Sequence, residues 1–174
     1  MAQVAAGDMT ALGILFERYR QPLFRFLYRI LRRTAWAEDL LQDAFLRVYD
    51  TRRRYTPGKP FSTWLYTIAY RLAIDALRRE ARCETRDDVD SFTTASSPDF
   101  ERGEMARLVR EAVTALPEEQ RAVVILREYE GFSYKEIAAV VGCTEDAARV
   151  RGHRARQALK HALAPVLLDE CEAP

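Results

Sequence analysis

The chain has 174 residues and a mass of 20.0 kDa, room for one domain or two small ones, and 48% apolar residues are enough to bury a core. With 27 Lys and Arg against 26 Asp and Glu the net charge is +1, so total charge argues nothing about nucleic acid. The longest apolar runs resemble Ala122-Val123-Val124-Ile125-Leu126, far short of the roughly 20 residues of a membrane span, and the start of the chain lacks the pattern of a signal peptide.

The three cysteines, Cys83, Cys143 and Cys171, are odd in number and far apart. A disulfide framework is therefore not expected, and a reducing, cytoplasmic location fits. Cys143 reads as a buried, inert thiol, with redox sensing by Cys83 or Cys143 as the alternative. Charge is unevenly spread. Residues 149–160 hold five basic side chains and no acidic one, whereas residues 84–104 hold seven acidic side chains and two basic ones.

Leu12, Leu15, Phe16 and Tyr19 recur at helical spacing, and Leu23, Phe24, Leu27 and Leu31 continue it beyond Pro22, which should kink or interrupt the helix. Thr34 is placed to cap a second helix with Leu40, Leu41, Ala44, Phe45 and Val48 on its apolar face, ending near Asp50. Its polar face carries Asp39, Gln42 and Asp43, either as an ordinary solvated face or as an acidic patch that repels DNA and suits a protein partner. Pro57, Gly58 and Pro60 mark a loop. A third helix starts at Phe61 or Ser62, with Trp64, Leu65, Ile68, Leu72 and Leu77 on its apolar side.

From Arg52 to Arg79, Tyr55, Phe61, Trp64, Tyr66 and Tyr70 alternate with basic side chains. Aromatic residues at helical spacing are usually core, but such a mixture also suits unpaired bases, with cations on the backbone and rings on the base faces. Residues 83–99 lose the apolar period and read as a flexible acidic linker. Helical periodicity returns with Met105, Leu108, Val109, Ala112, Val113 and Leu116. The expected fold is all-α: two small helical domains joined by that linker, covering residues 8–82 and 100–164.

In the second domain Pro117 opens a helix, with Glu118 and Glu119 at its positive end, and Gly131 stops it. Ser133 and Glu136 form a capping box, Gly142 allows a tight turn, and Thr144 caps the next helix. That last helix carries the arginines, so the pair reads as a helix-turn-helix. Arg149 lies near its front, where base contacts are usual; Arg151, Arg154, Arg156 and Lys160 meet phosphate or simply face water. The plainer alternative is a solvated basic helix in a bundle. Gly152, mid-helix, either permits close packing or is a weak point.

Three segments, AEDLLQDAFLRVY (37–49), YTPGKPFSTWLYTIAYRLAIDALRR (55–79) and the stretch from Leu116 to Lys160, together resemble the extracytoplasmic-function sigma factors of the sigma-seventy family. The resemblance runs from about Ala11 to Ala162. It implies a bacterial protein of transcription initiation, with core RNA polymerase and promoter DNA, both duplex and melted strand, as partners and an anti-sigma factor as a further one. By the same resemblance, Asp39, Leu40, Gln42 and Asp43 dock on the polymerase. Arg54, Tyr55, Lys59 and Phe61 capture a flipped base of the minus-ten element, and Trp64, Arg71, Asp75, Arg78 and Arg79 line the melted strand. Arg149, Arg151, His153, Arg154 and Arg156 face the minus-thirty-five element. Arg71, Gly152 and residues 145–149 depart from the family's usual pattern, which bears on the promoter sequence rather than on the activity class.

Two other readings are open to the residues alone. A conventional helix-turn-helix regulator would bind duplex DNA as a dimer, leaving residues 52–79 without a role. An enzyme is not expected. No phosphate-cradling Gly-Lys-Thr loop, His-Glu-x-x-His helix or Cys-x-x-Cys pair occurs, so no catalytic residue, metal site or cofactor is assigned. The tail after Pro165 is too short for an added sensory domain.

Overall fold

The computed structural model describes residues 2–56, 58–84 and 103–169, without the side chains of residues 2, 5, 83, 84 and 166–169. The secondary structure of the described residues is helical throughout, and the chain divides into two compact units. The first carries α1 (Ala2–Ala5), α2 (Met9–Leu31), α3 (Thr34–Asp50), a 3-10 turn (Arg52–Arg54) and α4 (Phe61–Glu84). The second carries α5 (Glu104–Ala115), α6 (Glu118–Val124), a π-helical turn (Ile125–Tyr129), α7 (Tyr134–Val141) and α8 (Glu145–Asp169). Most of the expected linker lies outside the described residues, although its first two positions are the last turn of α4.

In the first unit α2, α3 and α4 pack against one another. Asp8 caps α2 by accepting from the amides of Thr10 and Ala11. Pro22 lies inside an unbroken α2, so the expected interruption does not occur. Leu23, Phe26 and Leu27, all fully buried just beyond it, anchor the helix where it continues past the proline. Burying each such side chain contributes about 1.5–3 kcal/mol, enough to offset a missing backbone hydrogen bond. The helix stops at Arg32, which takes a left-handed conformation (φ 60°) that glycine usually fills, while its guanidinium covers the Tyr28 ring at 4.8 Å. α3 begins without the expected Thr34 cap; Arg33 holds the cap position and makes no side-chain capping bond.

The buried face of α4 also differs from expectation. Leu65, Tyr66, Ala69, Tyr70 and Leu72 are buried, whereas Trp64, Ile68 and Leu77 are only half-buried. Tyr66 and Tyr70 therefore belong to the core, with the Tyr66 ring 5.0 Å from that of Phe26.

In the second unit Arg121 donates to the carbonyls of Thr114 (2.7 Å) and Leu116 (3.0 Å), supplying partners to the open end of α5. A small apolar centre of Leu116, Val124 and Ala155, with Leu159 against it, joins α6 to α8. The Ser133–Glu136 capping box is present, and it holds the Glu136 carboxyl below its ordinary pKa, chiefly through the Ser133 hydroxyl and then its amide. α7 ends at Gly142 (φ 79°), where the amides of Gly142 and Cys143 both donate to the Ala138 carbonyl at 2.9 and 3.0 Å. Thr144 Oγ1 then accepts from the Ala147 amide at 3.1 Å and starts α8. The capped helix, glycine turn and second capped helix follow the expected order.

Candidate functional site

Three surfaces carry the residues singled out in the sequence. The first is the loop before α4 together with one side of that helix. Tyr55 donates to the Lys59 carbonyl at 2.5 Å, closing the loop on itself, and its ring lies 5.3 Å from Trp64 and 6.4 Å from Phe61. Tyr19 meets Phe61 edge-on at 5.3 Å, so four half-buried rings share one cluster. Arg54 and Lys59 are exposed beside it. From Phe61 and Trp64 a single stripe runs along α4 through Arg71, Asp75, Arg78 and Arg79, all four exposed. At 1.5 Å rise per residue it extends about 27 Å from position 61 to 79. Aromatic faces lie at one end, and three arginines with one carboxylate, Asp75, lie along the rest.

The second surface is on α3. Asp39, Gln42 and Asp43 are exposed on one side of the helix, and Leu46, 62% exposed, continues that side one turn further. Leu40 is buried apart from its contribution to a groove of about 450 Å³ that Trp36, Asp39, Ala76, Arg79 and Glu80 also line. Arg79 therefore ends the α4 stripe at the groove that borders the acidic face.

The third surface is α8. Ala148, Gly152 and Ala155 point inward, and the opposite side presents Val150, His153, Arg154 and Gln157, with Arg149 and Arg156 flanking it. Arg149 pairs with Glu145 at 2.8 Å and Arg156 with Glu128 at 3.5 Å. Arg151 turns toward α6 and pairs with Glu119 at 2.7 Å, its side chain 25% exposed. His153 and Arg154 are exposed.

The sequence region 15–83 matches the family model described as Sigma-70 region 2, and residues 106–159 match Sigma-70, region 4. RNA polymerase sigma factor CarQ of Myxococcus xanthus is 37% identical over 172 residues, 97% of this chain and 98% of the relative. This chain belongs to the sigma-70 family. Within it, the ECF RNA polymerase sigma-E factor of Escherichia coli strain K12 is 29% identical, with 95% of this chain and 93% of that one covered. Among solved structures, the sigma factor RpoE in complex with the anti-sigma factor NepR from Bartonella quintana matches with a TM-score of 0.78 at 25% identity, over 87% of this chain and 96% of that one. The extracytoplasmic-function resemblance read from the three motifs is thus correct, and the chain is a sigma factor of transcription initiation.

Several residues of this sigma factor's surfaces escaped the sequence reading. Tyr134 lies among three arginines: its hydroxyl accepts from Arg156 at 2.9 Å, and the guanidiniums of Arg127 and Arg149 lie 5.1 and 5.2 Å from its ring centre. A β-carbon added at Gly152 would stand 3.0 Å from the Tyr134 hydroxyl and 3.3 Å from Val123, so the glycine permits close packing. The i, i+22 spacing from Tyr134 to Arg156 leaves no periodic signal. Leu46 and Val150 were legible only as two more apolar residues in a helix. Cys143 is a half-buried free thiol rather than a buried one. Among the described residues no cluster of side chains could hold a metal ion, and no helix is long and apolar enough to cross a membrane.

Proposed function

We propose that this sigma factor directs promoter-specific initiation by three coupled contacts. The α3 face of Asp39, Gln42 and Asp43, with Leu40 at its groove, docks on core RNA polymerase. Arg149, Arg151, His153, Arg154 and Arg156 bring α8 to duplex DNA at the minus-thirty-five element, where guanidiniums suit guanine edges and phosphates; Arg151 reaches phosphate only by leaving Glu119. Arg54, Tyr55, Lys59 and Phe61 take a flipped base of the minus-ten element, and Trp64, Arg71, Asp75, Arg78 and Arg79 hold the melted strand.

The observation that carries this reading is the α4 stripe, in which exposed cations continue directly from an aromatic cluster. A duplex-binding regulator has no use for it. Stacking one base contributes about 1–3 kcal/mol, comparable to the few kcal/mol that flipping a base costs. Holding one or two bases therefore suffices to nucleate a bubble.

By this reading residues 8–82 form the polymerase and minus-ten module, 83–99 the tether, and 100–164 the minus-thirty-five module. The complex in which the Bartonella relative was solved supports an anti-sigma factor as a further partner here.

Transcription in vitro with purified core polymerase on fragmented bacterial genomic DNA tests the proposal. Discrete new transcripts are expected only when the chain is present, and Asp39→Arg with Asp43→Arg should abolish both transcripts and core binding. Absence of transcripts and of core binding for the unaltered chain would refute it.

A further inference from the structure

We propose that Tyr134 is the positioning residue of the upstream DNA surface: it holds Arg149 and Arg156 in the poses from which they meet phosphate, in a slot that Gly152 leaves open. The inference rests on the reading of α8 as a DNA-binding helix and adds to it a residue that itself stays off the DNA.

Tyr134 is the first residue of α7, set in place by the capping box at Ser133. Arg127 is a further contact, donating to the Phe132 carbonyl at 2.9 Å while its guanidinium lies 5.1 Å from the ring centre. The missing β-carbon of Gly152 is what lets the ring edge and hydroxyl reach α8. From this seat one side chain serves two arginines seven positions apart, Arg156 through its hydroxyl and Arg149 through its ring.

The other partners of these arginines are of a different kind. Glu145 and Glu128 are carboxylates, about half exposed, and exposed ion pairs contribute only about 0–1 kcal/mol. An approaching phosphate repels them and replaces them. A neutral phenol is under no such competition. It uses one of the five N–H donors of Arg156 and meets the Arg149 guanidinium through its ring, with no carboxylate charge to compete for phosphate. The guanidiniums thus stay aimed while their carboxylate partners are exchanged for phosphate.

A double-mutant cycle on the full chain separates this role from plain packing. Affinity for a short mixed-sequence DNA duplex is measured by fluorescence anisotropy across a salt series, with far-UV melts of every variant. Arg156→Ala should reduce the slope of log K against log salt by about 0.9, the loss of one phosphate contact. Tyr134→Phe keeps the ring and removes the acceptor, and should weaken binding about three- to tenfold, the range of one hydrogen bond. In the Arg156→Ala background that loss should disappear. If Tyr134→Phe costs the same in both backgrounds, or nothing in either, positioning is overturned while DNA binding by α8 stands. If the unaltered chain shows no salt-dependent binding, or if Arg149→Ala and Arg156→Ala both leave affinity and slope unchanged, the DNA-binding reading falls and this inference falls with it.

Discussion

The Arg33 guanidinium sits 2.5 Å from the Glu80 carboxylate and 4.6 Å from the Trp36 ring centre, so the start of α3 grips the far end of α4. Both side chains are mostly withdrawn from solvent, at 35% and 18% exposure, and Glu80 and Trp36 line the groove beside the acidic face. Breaking one partner leaves the other charge poorly solvated.

Glu80→Gln should therefore destabilise the first unit by about 1–2 kcal/mol, between the ~0–1 kcal/mol of an exposed pair and the ~3–5 kcal/mol lost on breaking a fully buried one. Both tryptophans, Trp36 and Trp64, belong to this unit. Their emission during urea unfolding isolates its transition, while the second unit's stability, followed by helical signal, should not move.

At Gly152 two effects oppose each other. Alanine gains about 1 kcal/mol of helix propensity, but its methyl would press on Tyr134 and Val123. Overpacking costs about 1–3 kcal/mol, so Gly152→Ala should be net destabilising. With Tyr134→Ala already present, the same change should become stabilising. Calorimetry on the four proteins reads the change of sign.

The Ser133–Glu136 box gives the second unit a pH dependence. Because the folded pKa of Glu136 lies below its unfolded value, the carboxylate's contribution is complete above the unfolded pKa and fades as pH falls through the folded one. Ser133→Ala should cost about 1 kcal/mol at neutral pH and distinctly less once the pH has fallen below the lowered folded pKa of Glu136. Equal losses at both pH values would exclude the carboxylate from the effect.

Removing an aromatic face from the α4 cluster should spare duplex binding and impair opening. Trp64→Ala or Tyr55→Ala should lower the open-complex fraction about tenfold or more, the equivalent of one lost base stack. A fluorescent base analogue in the promoter reports the unstacking, and footprinting of the closed complex provides the control.

In the second unit the helix signals were legible because they are local, whereas the equally local Thr34 cap expected in the first unit did not form. The Ser133–Glu136 box, the Gly142 turn and the Thr144 cap are each written within four residues, and all three appear in the structure. The end of α2 was not, because Arg32 adopts a left-handed conformation that its residue type does not announce. The α4 face was misread for a related reason. Tyr66 and Tyr70 carry hydroxyls and sit between arginines, yet their rings are in the core, and only packing against α2 decides it. On the candidate site, charge and residue type pointed to α8, but not to Arg151 turning inward to Glu119, a contact made across 32 positions of sequence.

Pro22 divides α2 more deeply than its unbroken run of helix suggests. It removes the amide that would meet the Arg18 carbonyl, and the two halves on either side are unequally anchored. Residues 9–21 bury only Ala11 and leave Met9 and Ile14 open, whereas Leu23–Leu31 supply much of the core. In amide exchange the helix should behave as two units. The leading half should open by local fluctuation and exchange early, and the trailing half only with global unfolding of the domain.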